Sequence, residues 1–463
     1  MLHVSYPYEA IIVQSADSDN ATCTLHRAPI AAGSAIRVEL TGSTMMPEPV
    51  LIHQKCRGMR DLLPADMARF RFIEDSFRQG CAAYGYEEVK PPTIEYMQLF
   101  TALGTLTPGM VGRLYSFLDW DGWTGERVVL RPDSTIPVAR LYVESLSPRV
   151  PCRLFYVTNS FVFDETGSKQ RERWQCGAEF IGGVAVVADV EMVLLAQDVI
   201  ARLGLEGIRF QICHAGLLKA LIEELDLQPA ARQHLVEAVL DGDWRGLREA
   251  VALVRDTKRY LGPLLELKGT SAGYLANVRA LSTEAGQDFR TALDQFIEVA
   301  TVLDDLECDY QIDITAVSSF EYYTGMCFQL VNEAGEKVGG GGRYDDLIPL
   351  LGGPHISACG FALYMNQLIS LLSETPRGAR GVAVVCDDVS SLSLCRTLAA
   401  AREIRTAGGL AVVGIRRGTE FTGGFRWVMK IDPESEDSVI LLDSGTREQF
   451  SCSVAQAIER ILL

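Results

Sequence analysis

No two of the twelve cysteines stand as CxxC, and only six histidines accompany them, scattered along 463 residues. That pattern excludes the usual zinc sites and offers no disulfide framework. Reduced thiols in a cytoplasmic protein are the expectation, with no metal and no cofactor implied. No apolar run reaches the ~18 residues that a membrane-spanning helix needs. Cations are scarce as well: 43 Lys and Arg stand against 60 Asp and Glu, a formal charge of −17. Phosphate backbones are held by clustered cations, so this balance argues against a large nucleic-acid footprint. The first 50 residues hold only Arg27 and Arg37 as basic groups and lack a continuous apolar stretch, which argues against a secretory signal. They alternate weakly, as in AIIVQ and AIRVEL, and fit either strands or a stretch ahead of a translation start near Met45 or Met46.

What is present suits a globular chain of about three domains, with a hydrophobic fraction of 48% to fill their cores. After the N-terminal extension (1–50), a core spans 51–375. In it, Pro64 opens a helix with Met67, Phe70, Ile73 and Phe77 on one face, and Gly85 stops it. A strand through Val89 ends at Pro91 and Pro92. RLFYVTNSFVFDETGSKQRERWQCGAEFIGG reads as two strands around a polar loop holding Gly167. DVEMVLLAQDVIARLGL reads as a helix with Asp189 as N-cap and Gly204 as stop. Residues 216–303 are Leu- and Ala-rich at helical spacing and form an inserted helical subdomain. The glycines Gly339 to Gly342 precede no GK[ST] and read as a tight turn before Arg343. Cys213 and His214 are adjacent on a predicted strand, so they point to opposite faces and make a poor nucleophile pair. From 381 to 463, short apolar strands with helices after the first and last form a small α/β domain.

Five segments occur in a telling order: RGMRDLLP, LRPDSTIPVAR, RERWQCGAEFIG, FEYYTG and GGGGRYDDL. Together they resemble the histidyl-tRNA synthetase group of class II ligases, over roughly Arg57 to Leu372. The resemblance implies an α+β fold: a class II antiparallel sheet core with the helical insertion, then an anticodon-binding-like C-terminal α/β domain. It also implies a homodimer through the core, with Phe70 to Ile94 near the interface. By chemistry, Asp133, Thr135 and Gln175 offer acceptors to the ammonium of an amino acid. Glu179 lies on the same strand face as Gln175, and Tyr323 and Tyr344 add phenols. The matching positions of the synthetases hold histidine; the alternative is that these groups only satisfy one another inside a buried sheet.

The same resemblance exposes three gaps. The synthetases carry arginines where this chain has Val162, Ser318 and Gln367. Adenylate formation concentrates charge that such cations offset, and one lost donor typically costs about 100- to 1,000-fold. Arg171 matches a loop arginine and is a possible contact, while Arg173 and Arg343 fit either compensation or solvated surface charge. Retained recognition without ligase cations resembles the regulatory subunits of ATP phosphoribosyltransferase. These are non-catalytic partners of a short catalytic subunit in histidine biosynthesis, with L-histidine as the feedback effector. A working histidyl-tRNA synthetase and a pseudo-synthetase amino-acid sensor are the alternatives. Against the former, the stretch from Gly381 holds nine Lys or Arg and eleven Asp or Glu, so it is not a basic surface.

Overall fold

The computed structural model describes residues 55–101, 112–120, 125–163, 169–240, 242–254, 257–266, 268–316, 323–372, 381–387, 390–415, 425–431 and 438–462. The chain divides into two units, Met1–Cys56 and Arg57–Leu463, and almost all of these residues belong to the second. The expectations for residues 1–50 and for Ser318 lie outside the described residues.

Helix α1 (Pro64–Ala83) opens on a proline whose fixed φ suits the first turn. It buries Phe70, Ile73 and Phe77 at helical spacing, with Met67 packed at the margin of the same core. Gly85 follows at φ +77°, a conformation that a side chain would disfavour. The strand expected through Val89 is shorter than its pattern suggests: β1 (Glu87–Glu88) comes first, and after the two prolines β2 (Ile94–Tyr96) joins a different sheet. Then come α2 (Met97–Thr101), β3 (Ser116–Trp120), β4 (Gly125–Leu130) and α3 (Thr135–Leu141). The expected hairpin is β5 (Cys152–Phe161) and β6 (Glu172–Ile181), paired antiparallel from Cys152↔Ile181 to Phe161↔Glu172.

Helix α4 (Ala185–Arg202) corrects one expectation. It starts at Ala185 behind Val184, so Asp189 is not its N-cap but lies buried inside the helix. The short polar side chain mimics a local cap signal, while its real partner is Arg343, far away in the chain. After β7 (Arg209–His214) the helical insertion runs through α5 (Ala215–Glu223), α6 (Pro229–Leu240), α7 (Arg245–Leu253), α8 (Leu261–Glu266), α9 (Ala272–Leu281) and α10 (Gln287–Asp305). The chain returns through β8 (Gln311–Ile312), β9 (Met326–Val331), β10 (Lys337–Arg343), α11 (Leu347–Leu350), β11 (Ala358–Tyr364) and α12 (Met365–Leu371).

Eight strands make the main sheet, in the order β1-β5-β6-β11-β10-β9-β7-β8. Its inner pairings are antiparallel, and only the edge pairs β1/β5 and β7/β8 are parallel. This is the class II core that the motifs imply. Gly339 to Gly342 are not a turn: they lie within β10, between β9 and β11. Their reason is close packing, since a Cβ on Gly341 would stand 2.1 Å from the Gly360 carbonyl oxygen. The turn lies just ahead, where the Asn332 N–H donates to the Glu336 carbonyl and Gly335 takes φ +80°.

On one face of the sheet, α1, α4, α12 and much of the insertion bury an extensive core that includes Phe77, Phe180 and Phe361. On the other, α3 and α11 close a smaller core around Val129, Tyr156 and Tyr344. The C-terminal part has its own five-stranded sheet, ordered β13-β12-β14-β15-β16, from β12 (Gly381–Cys386), β13 (Leu410–Ile415), β14 (Trp427–Ile431), β15 (Ser438–Asp443) and β16 (Gln449–Ser453). Helices α13 (Ser391–Thr406) and α14 (Val454–Leu462) bury one core with it, including Ala401, Met429 and Ile461. The edge strand β16 escapes sequence reading because QFSCS has no apolar run.

Candidate functional site

Strand alternation assembles the site. Residues opposite one another in an antiparallel pair share a face. The register Thr158↔Gln175, Tyr156↔Gly177 and Leu154↔Glu179 therefore puts Thr158, Tyr156, Gln175 and Glu179 on the α3 side. Tyr156 reaches across its neighbour because Gly177 has no side chain; a Cβ there would lie 2.2 Å from the phenol ring. Likewise Glu179 sits over Gly360, where a Cβ would come within 1.7 Å of its Oε2. These two glycines open the space that the carboxyl and phenol groups occupy.

Glu179 is 1% exposed, and both of its oxygens are engaged. Tyr156 donates its hydroxyl to Oε1 at 3.0 Å, and Tyr344 donates to Oε2. Burial pushes Glu179 up to about 8, against the lowering effect of the Tyr344 hydrogen bond. Thr135 joins the cluster with its hydroxyl 3.4 Å from that of Tyr156. Asp133, at the entry to α3, accepts from the Ile136 N–H at 2.8 Å. Burial raises its pKa, opposed by the backbone N–H groups of the helix start. Tyr323 packs against both cores, and burial drives its phenol pKa up, with Tyr364, Cys327, Glu179 and Asp133 contributing in the same direction. Gln175 is buried at the register position facing Thr158 and Tyr364, and its amide has no hydrogen-bond partner among the described residues.

Asp133, Thr135, Glu179, Tyr323 and Tyr344 thus converge, and Gln175 shares their sheet face. Arg171 does not join them: its guanidinium lies over the Phe163 ring at 4.6 Å, and its stem packs against Gly58 of the RGMRD segment. Arg173 is exposed and donates to the Gln170 carbonyl. Arg343 is neither solvated nor in the pocket. It is 5% exposed and turns to the opposite face from Tyr344, donating to Asp189 at 2.8 Å and to the Ala185 carbonyl at 2.7 Å. Cys213 faces Cys327 with sulfurs 3.4 Å apart, while His214 caps α5 by accepting the Leu217 N–H at 3.1 Å. Burial holds that imidazole down to about 3, hence neutral.

Two residues escaped the sequence. Tyr156 is hidden in the apolar run RLFYV, where only the register reveals its aim. Arg131, in LRPD, is 2% exposed and donates to the Pro91, Pro92 and Asn159 carbonyls and to Asn159 Oδ1, at 2.7 to 2.9 Å. A lone arginine between an apolar strand and a proline was the available signal. It pins the link between β1 and β2 to the hairpin that carries Tyr156 and Glu179.

A buried carboxyl held by two phenols, a second carboxyl at a helix start and an amide sit together on an antiparallel sheet backed by helices, the architecture of a class II synthetase core. The family model for histidyl-tRNA synthetase matches residues 58–368. An ATP phosphoribosyltransferase regulatory subunit from Dehalococcoides mccartyi is 51% identical over 319 residues, covering 69% of this chain and 77% of that protein. A histidine–tRNA ligase from Methanocaldococcus jannaschii is 28% identical over 415 residues, covering 86% of this chain and 97% of the ligase. Among solved structures, an ATP phosphoribosyltransferase regulatory subunit/histidyl-tRNA synthetase from Bacillus halodurans superposes with a TM-score of 0.70 at 26% identity, over 82% of this chain and 98% of that one. The chain belongs to the histidyl-tRNA synthetase family, within it to the branch of ATP phosphoribosyltransferase regulatory subunits.

Proposed function

We propose that this chain is the non-catalytic regulatory subunit of ATP phosphoribosyltransferase in histidine biosynthesis: it activates a short catalytic subunit and conveys feedback by L-histidine. The observation that carries the histidine part is Glu179, clasped by Tyr156 and Tyr344 beside Asp133, Thr135 and Tyr323. An imidazole needs a partner for each ring nitrogen, and this cluster supplies carboxyl and phenol groups, while Asp133, Thr135 and Gln175 suit the ammonium. The loss of ligase chemistry is supported by sequence. Val162 and Gln367 are uncharged, Gln367 is exposed on α12, and Ser318 is uncharged too. Feedback then requires that histidine bind two states of the complex with different affinity.

We read the homodimer from an apolar face as well. Tyr96, Val128 and Phe117 are register partners on one side of the small sheet β2-β4-β3, and Ile94 shares that side. Tyr96, Ile94 and Phe117 are 57%, 49% and 42% exposed, an apolar patch of the kind that marks an interface. Mixing this chain with the purified short catalytic subunit and assaying phosphoribosyl-ATP tests the function. Activity should rise with this chain and fall again on adding histidine. Activity indifferent to the chain removes the activator role, and activation that millimolar histidine leaves intact removes the feedback role.

A further inference from the structure

The loop that presents Tyr323 to the pocket is gripped from two sides. From the sheet, the Thr324 N–H donates to the Arg343 carbonyl at 2.7 Å, and the Asp345 N–H donates to Thr324 Oγ1 at 3.1 Å. From the helical insertion, the Ala215 N–H donates to the Gly325 carbonyl at 2.8 Å. One turn further along α5, Lys219 donates from Nζ to the Tyr323 carbonyl at 2.9 Å. Positions spaced by four lie on one helical face, so both grips come from the same side of α5. Gly216 lets the helix approach: a Cβ there would stand 3.1 Å from the Thr324 carbonyl oxygen. Lys219 also borders a groove of about 560 Å³ with Ile222, Glu223, Pro229, Arg232 and Val236, from α5 and α6.

We propose that Lys219 is a positioning residue for histidine recognition: from the helical insertion, it sets the backbone of Tyr323 and through it the phenol beside Glu179. This rests on the histidine reading of the pocket. Tyr323 lies outside any strand or helix, on the stretch 323–325 that leads into β9, so its placement depends on what holds that stretch. A charge-assisted hydrogen bond to a carbonyl is stronger than a neutral one, so Lys219 holds the Tyr323 peptide firmly. The groove beside the lysine stem means that a shorter or uncharged side chain leaves the core undisturbed.

The test is calorimetry of histidine binding to the full chain and to Lys219→Met, Lys219→Arg, Tyr323→Phe and the Lys219→Met/Tyr323→Phe double variant, with thermal unfolding alongside. Lys219→Met should weaken histidine about tenfold with little change in thermal midpoint, and Lys219→Arg should recover most of that. In the Tyr323→Phe background, Lys219→Met should add nothing, because its effect runs through the phenol. Parent-like binding by Lys219→Met while Tyr323→Phe is weakened overturns the proposal and leaves the pocket standing. Additive losses in the double variant also overturn it. If neither Tyr323→Phe nor Glu179→Ala alters histidine binding, the pocket reading falls and takes the proposal with it. Lys219→Gln, which keeps a polar stem, replaces Lys219→Met in the same cycle should the latter fail to fold.

Discussion

Two phenols donate to Glu179, yet no cation is among the groups that lower its pKa, and this sets its proton affinity. Burial penalises the charged form more than the hydroxyl hydrogen bonds favour it, so the folded carboxyl titrates near 8 rather than at its ordinary 4.5. A raised acid binds its proton more tightly in the folded state. The associated stability is complete below about pH 4.5 and is lost as pH rises through about 8. Urea unfolding of the parent should therefore show it losing on the order of a few kcal/mol between pH 5.5 and pH 8.5. Glu179→Gln, which cannot titrate, should lose clearly less over the same interval. Equal pH dependence in the two proteins would mean that Glu179 does not hold its proton in the fold. Also at this scale, the uncharged side chains at Val162, Ser318 and Gln367 lead to a kinetic expectation: no histidine-dependent ATP–pyrophosphate exchange. Exchange on the order of 1 per second would contradict a non-catalytic chain.

Between elements, Arg131 is one tie. Its buried guanidinium reaches the Pro91 and Pro92 carbonyls on one side and Asn159 of β5 on the other. Prolines cannot donate to a ladder, so the link from β1 to β2 has few other ways to be held. Arg131→Met strips the partner from the Pro91, Pro92 and Asn159 carbonyls and leaves the first of them buried, and it should destabilise by about 3 kcal/mol in urea unfolding. A loss below about 0.5 kcal/mol would show that water replaces the guanidinium at no cost. The Arg343–Asp189 pair does the corresponding job on the reverse face, joining β10 to the first turns of α4. Because Arg343 and Tyr344 are adjacent on one extended segment, the ion pair on one face and the Glu179 hydrogen bond on the other anchor the same stretch of backbone.

For the molecule as a whole, the proposal that the apolar face of β2, β4 and β3 is a homodimer interface has a direct test. Light scattering at micromolar concentration should give a dimer for the parent and a monomer for the Tyr96→Asp/Phe117→Asp variant. A monomeric parent would remove that face as the interface. Among the described residues no helix is long and apolar enough to cross a membrane. Within the second unit, the C-terminal sheet has its own core. The ligase from Methanocaldococcus jannaschii covers 86% of this chain, against 69% for the Dehalococcoides mccartyi regulatory subunit, so more of this chain is matched by the synthetase.

Periodicity made α1, the β5/β6 hairpin and the helical insertion readable in advance, because each repeats its apolar residues at the spacing its own backbone imposes. The pocket was largely readable for the same reason: Gln175 and Glu179 share a face of any strand, whatever surrounds it. Other features depend on partners remote in the chain. Asp189 looks like a cap until Arg343 meets it across 154 positions, and Gly339 to Gly342 look like a turn until β9 and β11 close on either side. Tyr156 gains its role only when Gly177 leaves room above the neighbouring strand. Local signals encode the backbone's own preferences, whereas burial, pairing and proton affinity arise from distant groups brought together, and those were settled only by the folded sheet.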